Sequence, residues 1–266
     1  MHKIKLVIYA LFVFAFAVAS IAIASQLKKD GFSISLPDGW VEIPRDAMDA
    51  NEKELSRVAP NFPVQHLDHG FQLGSSKNWF EYPYISVKIQ RTGRLPENEL
   101  EKLEEYSAQK VYDKHKTDLS SMLSGVQSGK MIYDRQHRII WTRLDVDIAN
   151  IGPVSGISGM VLTEIGFIQV TGVSLRGDYP TYEAVFQSVA LSVSPDPKLT
   201  YKSKWSDSLP PAVTGVETVL QTIVTTFVTI GLIYGFFRLC KFLVRMFGFE
   251  VGGRETNYKI KRWKSK

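Results

Sequence analysis

Alternation of apolar and polar side chains marks the start of the globular part of the chain. Residues 32–36 read FSISL, which is the two-residue period of a strand with one buried face. Pro-Asp-Gly at 37–39 then predicts a turn, and 40–43 predict a second short strand. Residues 46–57 begin with an acidic cap, so we expect a helix there that ends before Pro60.

The same patterning predicts a larger sheet and two further helices. Strands rich in β-branched and aromatic residues are expected at 71–73, 84–91, 129–136, 138–148, 154–163 and 166–175. A long helix is expected over 95–123, and a last helix over 179–193 has apolar residues at helical intervals. The predicted fold class is α+β, an antiparallel sheet covered by helices.

Two long runs without charge flank this domain. Residues 6–26 form an apolar run that follows Lys3 and Lys5 and has small residues at Ala22 and Ala24. These are the three regions of a secretory signal. Segment 1–25 is therefore a signal peptide cleaved after Ala24, or an N-terminal anchor. The second run, 218–237, has 20 residues. A helix of that length spans about 30 Å, one hydrocarbon core, so we predict a transmembrane helix over 214–237.

The distribution of charge sets the predicted topology. The net charge is +5, but residues 238–266 alone hold nine Lys and Arg against two Asp and Glu. Positive charge marks the cytoplasmic side, so we expect a basic cytoplasmic tail and an extracytoplasmic domain over 30–195. Residues 196–213 are Pro-containing and are predicted to be a tether. The basic pI thus belongs to a membrane-flanking tail, and we expect no nucleic-acid partner.

The cysteine content and the glycosylation signals of the sequence bear on the cellular compartment. Cys240 is the sole cysteine, so no intramolecular disulfide can form, and the chain has no Asn-x-Ser/Thr sequon. The domain must therefore rely on its core for stability, and the missing sequon favours a bacterial envelope over a eukaryotic secretory route. The predicted location is the cytoplasmic (inner) membrane, with the domain in the periplasm and the C-terminus in the cytoplasm.

The sequence offers little catalytic or metal-binding chemistry. His66, Asp68 and His69 are ligand types for zinc or copper, but on a strand the two histidines point to opposite faces. GISG at 156–159 lacks the spacing of a nucleophile elbow and is better interpreted as part of a strand. Phosphate-loop and dinucleotide motifs are absent from the sequence. We therefore predict no catalytic residue, no metal and no cofactor.

An aromatic stretch is the best candidate for contact with a partner. Trp79, Phe80, Tyr82 and Tyr84 lie in a predicted loop between strands. Aromatic rings on loops commonly anchor protein contacts, because they bury a large area at a small entropic cost. The alternative is that two of the four rings plug the edge of the sheet.

Within the predicted span, small and hydroxyl residues suggest helix association. Gly231 and Gly235 form a GxxxG pair, and Thr222 and Thr229 belong to a hydroxyl stripe on roughly the opposite side. Both features allow helices to approach closely, so a homo-oligomer through the membrane helix is one expectation. The alternative is that these residues occur in the span by chance.

Cations follow the span at helical spacing. Arg238, Lys241 and Arg245 fall on one side of a continued helix, where they can contact lipid headgroups of the inner leaflet. The alternative is a stop-transfer signal with no further role.

The globular part resembles the PsbP-like family over about residues 30–195. The resemblance rests on FSISLPDGW at the start, the order of elements, and YEAVFQSVALSVSP at the end, with Trp40 and Phe186 as the matching apolar anchors. It implies a small extracytoplasmic or chaperone-like binding domain without a shared catalytic centre. This chain departs from the soluble members by carrying the second span.

Together these features predict a non-enzymatic, membrane-tethered domain that binds or assembles an envelope protein or complex. Two other classes stay open. One is a ligand sensor that acts through the transmembrane helix, and the other is an enzyme whose site is assembled from dispersed side chains.

Overall fold

The computed structural model describes residues 25–58, 66–100, 123–148, 151–204 and Asp207. The strands are β1 Ser25–Lys29, β2 Phe32–Leu36, β3 Trp40–Glu42, β4 His69–Leu73, β5 Tyr84–Gln90, β6 Leu123–Ser128, β7 Ile132–Asp134, β8 Ile139–Ile148, β9 Gly152–Thr163, β10 Gly166–Leu175 and β11 Ser194–Pro195. The helices are α1 Arg45–Val58, α2 Glu97–Leu100 and α3 Tyr179–Leu191.

The strands form two antiparallel sheets. The larger sheet has the order β3-β4-β5-β10-β9-β8-β6, with β7 also paired to β8, and the smaller sheet has the order β1-β2-β11. The long hairpins β8–β9 and β9–β10 pair continuously along ten residues each. The predicted α+β class with an antiparallel sheet is confirmed.

Most of the predicted elements are present, with four differences. β7 is shorter than the strand expected over 129–136, and β1, β6 and β11 were not expected. β6 begins at Leu123, the last residue of the segment for which a long helix is predicted, and α2 lies near the start of that segment. Residues 101–122, the main part of that helix, lie outside the described residues.

Helix α3 lies against one face of the large sheet because two glycines let it approach. A Cβ built on Gly172 would lie 2.1 Å from Cγ of Phe186, and one on Gly159 would lie 2.9 Å from Cβ of Ala190. Phe186 is 1% exposed and contacts Trp40 edge to face, with ring centroids 6.4 Å apart. The alternating apolar side of β2 completes this half of the core.

The opposite face of the sheet carries the second half of the core. Met48 of α1, Tyr84 of β5, Met160 of β9 and Tyr201 near the C-terminal end of the described chain are buried in one cluster. The sheet is thus covered on both faces, as the burial of nearly every residue of β9 and β10 requires.

The register of β5 and β10 separates two ends of the sheet. Tyr84 pairs with Val173 at one end, and Gln90 pairs with Phe167 at the other. β5 has seven residues, so these ends are roughly 20 Å apart at about 3.3 Å per residue. The loop over 74–83, called here the aromatic loop, lies at the first end.

Among the described residues, no helix is long and apolar enough to cross a membrane. Residues 1–24 of the predicted segment 1–25 and the whole predicted span 214–237 lie outside the described residues.

We predict that Gly172→Ala destabilises the domain by roughly 1–3 kcal/mol, since the added methyl group forces the ring of Phe186 away from the sheet. Urea unfolding of the full chain in detergent, followed by tryptophan fluorescence, measures the change. Gly177→Ala is the matched control, because a Cβ there has no atom within 4 Å. Equal midpoints for the two variants would contradict this packing.

Candidate functional site

Two buried aromatic rings anchor the aromatic loop and the strand that follows it. Phe80 is 2% exposed and Tyr84 is 0% exposed, and their rings meet edge to face with centroids 5.9 Å apart. Tyr82 stacks on Tyr84 with centroids 5.6 Å apart. Burial, with a smaller effect of neighbouring Tyr82, raises the pKa of Tyr84 well above its ordinary value, so the buried ring stays neutral.

Gln72 of β4 fixes the backbone of the loop. Its Nε2 donates to the carbonyl oxygen of Asn78 at 2.9 Å, and its Oε1 accepts from the backbone N–H of Phe80 at 2.6 Å. Phe80 has φ of 62°, a left-handed conformation that costs a non-glycine residue about 1–2 kcal/mol. The buried ring and the satisfied amide hold this conformation, so the loop has a defined shape.

The tip of the loop presents Trp79 to solvent. Glu81, which follows Trp79 in the chain, binds two residues that precede Trp79. Its Oε2 accepts from the backbone N–H of Lys77 at 2.9 Å, and its Oε1 accepts from Nδ2 of Asn78 at 2.5 Å. Trp79 is 40% exposed, and Val41 of the edge strand β3 is 39% exposed. The exposed indole therefore projects from a loop that is fixed on both sides.

The structure divides the four predicted contact residues. For Phe80 and Tyr84 the prediction of partner contact is wrong, because both rings are part of the core. Tyr82 is half-buried against the same cluster, and Trp79 is exposed. Two rings do plug the sheet, as in the alternative interpretation, and Trp79 is the residue of the four that a partner can reach.

The histidines near β4 have separate carboxylate partners. Nδ1 of His66 lies 2.9 Å from Glu52 on α1, and Nδ1 of His69 lies 3.1 Å from Glu42 on β3. Asp68 accepts a hydrogen bond from the β5 backbone. Within the described parts of the chain, no group of three His, Cys, Asp or Glu residues is arranged to hold a metal ion.

The GISG sequence lies inside β9, so its interpretation as a strand is confirmed. Ser158 is fully buried, and its hydroxyl lies 3.0 Å from Oγ1 of Thr171 and accepts from Nε2 of Gln169 at 3.1 Å. These contacts are typical of a polar row within a sheet. They place neither a histidine nor a carboxylate against the hydroxyl of Ser158.

A charged contact joins the end of the described chain to the domain. Arg94, which follows β5, donates from Nη1 to Oδ1 of Asp207 at 2.7 Å, from Nη2 to the carbonyl oxygen of Lys202 at 2.7 Å, and from Nε to Glu164 at 3.3 Å. The side chains of Arg94 and Asp207 are 11% and 7% exposed. Such a shielded, bidentate pair fixes its backbone more firmly than a surface pair does.

Tyr201 strengthens the same contact. Its ring lies 4.5 Å from the guanidinium carbon of Arg94, and its hydroxyl donates to the carbonyl oxygen of Leu95 at 2.7 Å. Thr200 forms a bridge with Thr163 at the end of β9. We call Arg94, Glu164, Tyr201 and Asp207 the clasp, and the end of the sheet where they meet the clasp end.

The clasp changes the description of the predicted tether. Residues 196–204 and Asp207 belong to that segment, yet they lie against the domain: the N–H of Asp196 donates to Gly31, and Nζ of Lys204 lies 2.6 Å from Glu164. The folded part thus extends beyond the expected end at residue 195. No local signal in the sequence pairs Arg94 with a residue 113 positions away.

The predicted membrane-associated residues lie outside the described part of the chain and stay predictions. They are Thr222, Thr229, Gly231 and Gly235 for helix association, and Arg238, Lys241 and Arg245 for headgroup contact.

The fold and site define an antiparallel α+β domain with an exposed indole at one end and a fixed C-terminal exit at the other. Similar solved structures include cyanobacterial PsbP from Synechocystis sp. PCC 6803, with 13% identity and a TM-score of 0.39 over 67% of this chain and 95% of that chain. PsbP also names the family that the sequence resembles.

Two further structures are similar at comparable levels. LpqN, involved in cell envelope biogenesis of Mycobacterium tuberculosis, has 12% identity and a TM-score of 0.36 over 65% of this chain and 90% of that chain. The Saccharomyces cerevisiae Ran-binding protein Mog1p has 8% identity and a TM-score of 0.34 over 65% and 96%. No family model and no curated protein matches this chain. These similarities assign no function.

We predict that the clasp weakens in acid. Hydrogen bonding by Arg94 lowers the pKa of Asp207 below its ordinary value, although burial opposes this shift. A lowered carboxyl pKa stabilises the fold above the unfolded pKa, about 3.9, and this stabilisation is lost as pH falls through the folded pKa. Asp207→Asn should therefore cost about 2 kcal/mol at pH 7 and clearly less at pH 3, below the ordinary carboxyl pKa.

Urea unfolding of both proteins at the two pH values measures this difference. Asp178→Asn is the control, because Asp178 is exposed and its side chain makes no capping hydrogen bond. A cost of Asp207→Asn that is the same at both pH values would show that the ion pair does not hold the segment.

Proposed function

We propose that this chain is a non-enzymatic, membrane-tethered extracytoplasmic domain that binds or assembles an envelope protein or complex through the aromatic loop. One observation carries the proposal: Trp79 is exposed, and the loop residues on both sides of it are fixed. Phe80 is buried, and Gln72 holds the backbone on both sides of the indole.

The energetics of protein interfaces support a role for this tryptophan. Tryptophan is enriched among the few interface residues that dominate binding energy. A loop that is already ordered loses little conformational entropy on binding, so more of the contact energy appears as affinity. The shape of the loop therefore suits recognition of a folded partner.

The predicted membrane span supports an envelope partner. If residues 214–237 cross the membrane, segment 208–213 is the short connection between the clasp and the span. Such a connection confines the domain near the membrane and raises its effective concentration toward other membrane proteins. The PsbP-like resemblance of the sequence agrees with a binding domain of this kind.

A ligand sensor is the second candidate function, and the clasp favours it. The clasp joins the domain firmly to the chain that precedes the predicted span, as transmission of a change in the domain requires. The predicted tail is short, so a sensor needs a cytoplasmic partner. Deletion of residues 248–266 separates the two functions, because a binding domain tolerates the deletion and a sensor does not.

We predict that Trp79→Ala reduces recovery of the partner at least about tenfold when the full chain is purified from membranes in mild detergent, since truncation of an interface tryptophan commonly costs 2 kcal/mol or more. Quantitative mass spectrometry of the co-purified membrane proteins gives the measurement.

Ile132→Ala is the matched control. Ile132 is 57% exposed on β7. Its replacement by alanine therefore removes an exposed apolar side chain that lies outside the aromatic loop. We expect the control to recover the partner as the unaltered chain does. Equal recovery with Trp79→Ala would exclude the aromatic loop as the binding site.

A further inference from the structure

The clasp fixes the end of the domain from which the chain leaves. Arg94 and Asp207 are bonded with little exposure to solvent, so the chain exits beside the 91–94 turn. Residues 208–213 are the six positions between Asp207 and the predicted span. Six residues reach at most roughly 20 Å when fully extended, so the clasp end cannot lie far from the membrane if the span is present.

In the described segments that border the clasp, 91–94, 135–138 and 196–204, the exposed charged side chains are positive. They are Arg91, Arg135, Lys198, Lys202 and Lys204, with Asp30 as an exposed carboxylate beside them. The other acidic groups of this end are partly or fully buried, and the clasp and neighbouring ion pairs use most of them: Glu97, Asp134, Glu164 and Asp207. Arg91, Lys198 and Lys202 form no ion pair with any described residue.

We propose that the clasp end lies on the membrane surface, where Arg91, Lys198 and Lys202 contact the headgroups of anionic phospholipids. The proposal rests on the membrane tether of the proposed function and adds the orientation of the domain. Exposed cations gain most from an anionic surface when they are held within one Debye length of it, about 8–10 Å. The short connection and the clasp hold the clasp end within roughly 20 Å of the membrane, a distance from which these cations can approach to that range.

This orientation directs the aromatic loop away from the membrane. Trp79 lies near the Tyr84 end of β5, and the clasp lies beyond Gln90 at the other end. The loop is therefore free to contact a partner that projects from the membrane or approaches from outside. Lipid is not its expected ligand.

The start of β1 gives an independent constraint on this orientation. Ser25 pairs with Leu36, and Phe32, at the other end of β2, pairs with Pro195 near the clasp end. Ser25, where β1 begins, consequently lies on the side of the aromatic loop. Cleavage after Ala24 suits an upright domain, whereas a retained anchor would draw both ends of the sheet to the membrane.

Quenching of fluorescence by spin-labelled headgroups tests the orientation. The full chain carries Cys240→Ser and one new cysteine, either Ser203→Cys at the clasp end or Ser75→Cys in the aromatic loop, both exposed positions. Each protein carries a fluorescent label on its new cysteine. It is reconstituted into vesicles of phosphatidylcholine with roughly one third anionic phosphatidylglycerol. We expect at least about twofold stronger quenching at position 203 than at position 75.

Charge reversal identifies the groups involved. Lys198→Glu with Lys202→Glu should reduce quenching at position 203 by about half or more, as should replacement of phosphatidylglycerol by phosphatidylcholine. Lys77→Glu with Lys130→Glu is the matched control at exposed sites nearer the Tyr84 end of the sheet, and it should leave the quenching unchanged. Circular dichroism verifies that each variant is folded.

Three outcomes would overturn the inference: equal quenching at positions 203 and 75, stronger quenching at position 75, or no response to lipid charge. Flotation of the vesicles separates this failure from that of the proposed function. A chain that does not float with lipid lacks the membrane tether. A chain that floats without selective quenching keeps the tether and refutes the orientation.

Discussion

The in-register pairing of β5 with β10 is the constraint on which the rest of the structure depends. It fixes Tyr84 opposite Val173 and Gln90 opposite Phe167. Because an extended strand cannot shorten, the aromatic loop and the clasp stay at opposite ends of one sheet. Helix α3 reinforces the pairing, since Phe186 lies directly on Gly172 of β10.

At both ends of the sheet, buried side chains hold a segment of backbone in one conformation. At one end, Gln72 and the ring of Phe80 hold a left-handed backbone next to an exposed indole. At the other end, Arg94 holds the departing chain through Asp207. In both places, buried hydrogen bonds order a segment that carries exposed groups, and this reduces the entropy lost when those groups meet a partner or a surface.

The sequence predicted elements whose signal is local and missed those that depend on distant contacts. FSISL and the apolar residues of α3 reveal their burial directly by period. β1 has no such pattern, because SQLKK is mostly exposed and forms a strand only by pairing with β2. The structure has a loop where the sequence predicts one, although Tyr84 belongs to β5, and the sequence could not tell that Phe80 enters the core while Trp79 does not. That difference depends on the backbone conformation that Gln72 fixes.

The central claim is that the chain leaves the domain from a fixed point at the end opposite the aromatic loop. The most direct test is the distance distribution between spin labels at Ser75→Cys and Ser203→Cys in the full chain with Cys240→Ser, measured by double electron–electron resonance. We predict a single narrow distribution that broadens when Arg94→Ala removes the clasp. A distribution that is already broad with Arg94 in place would contradict the account.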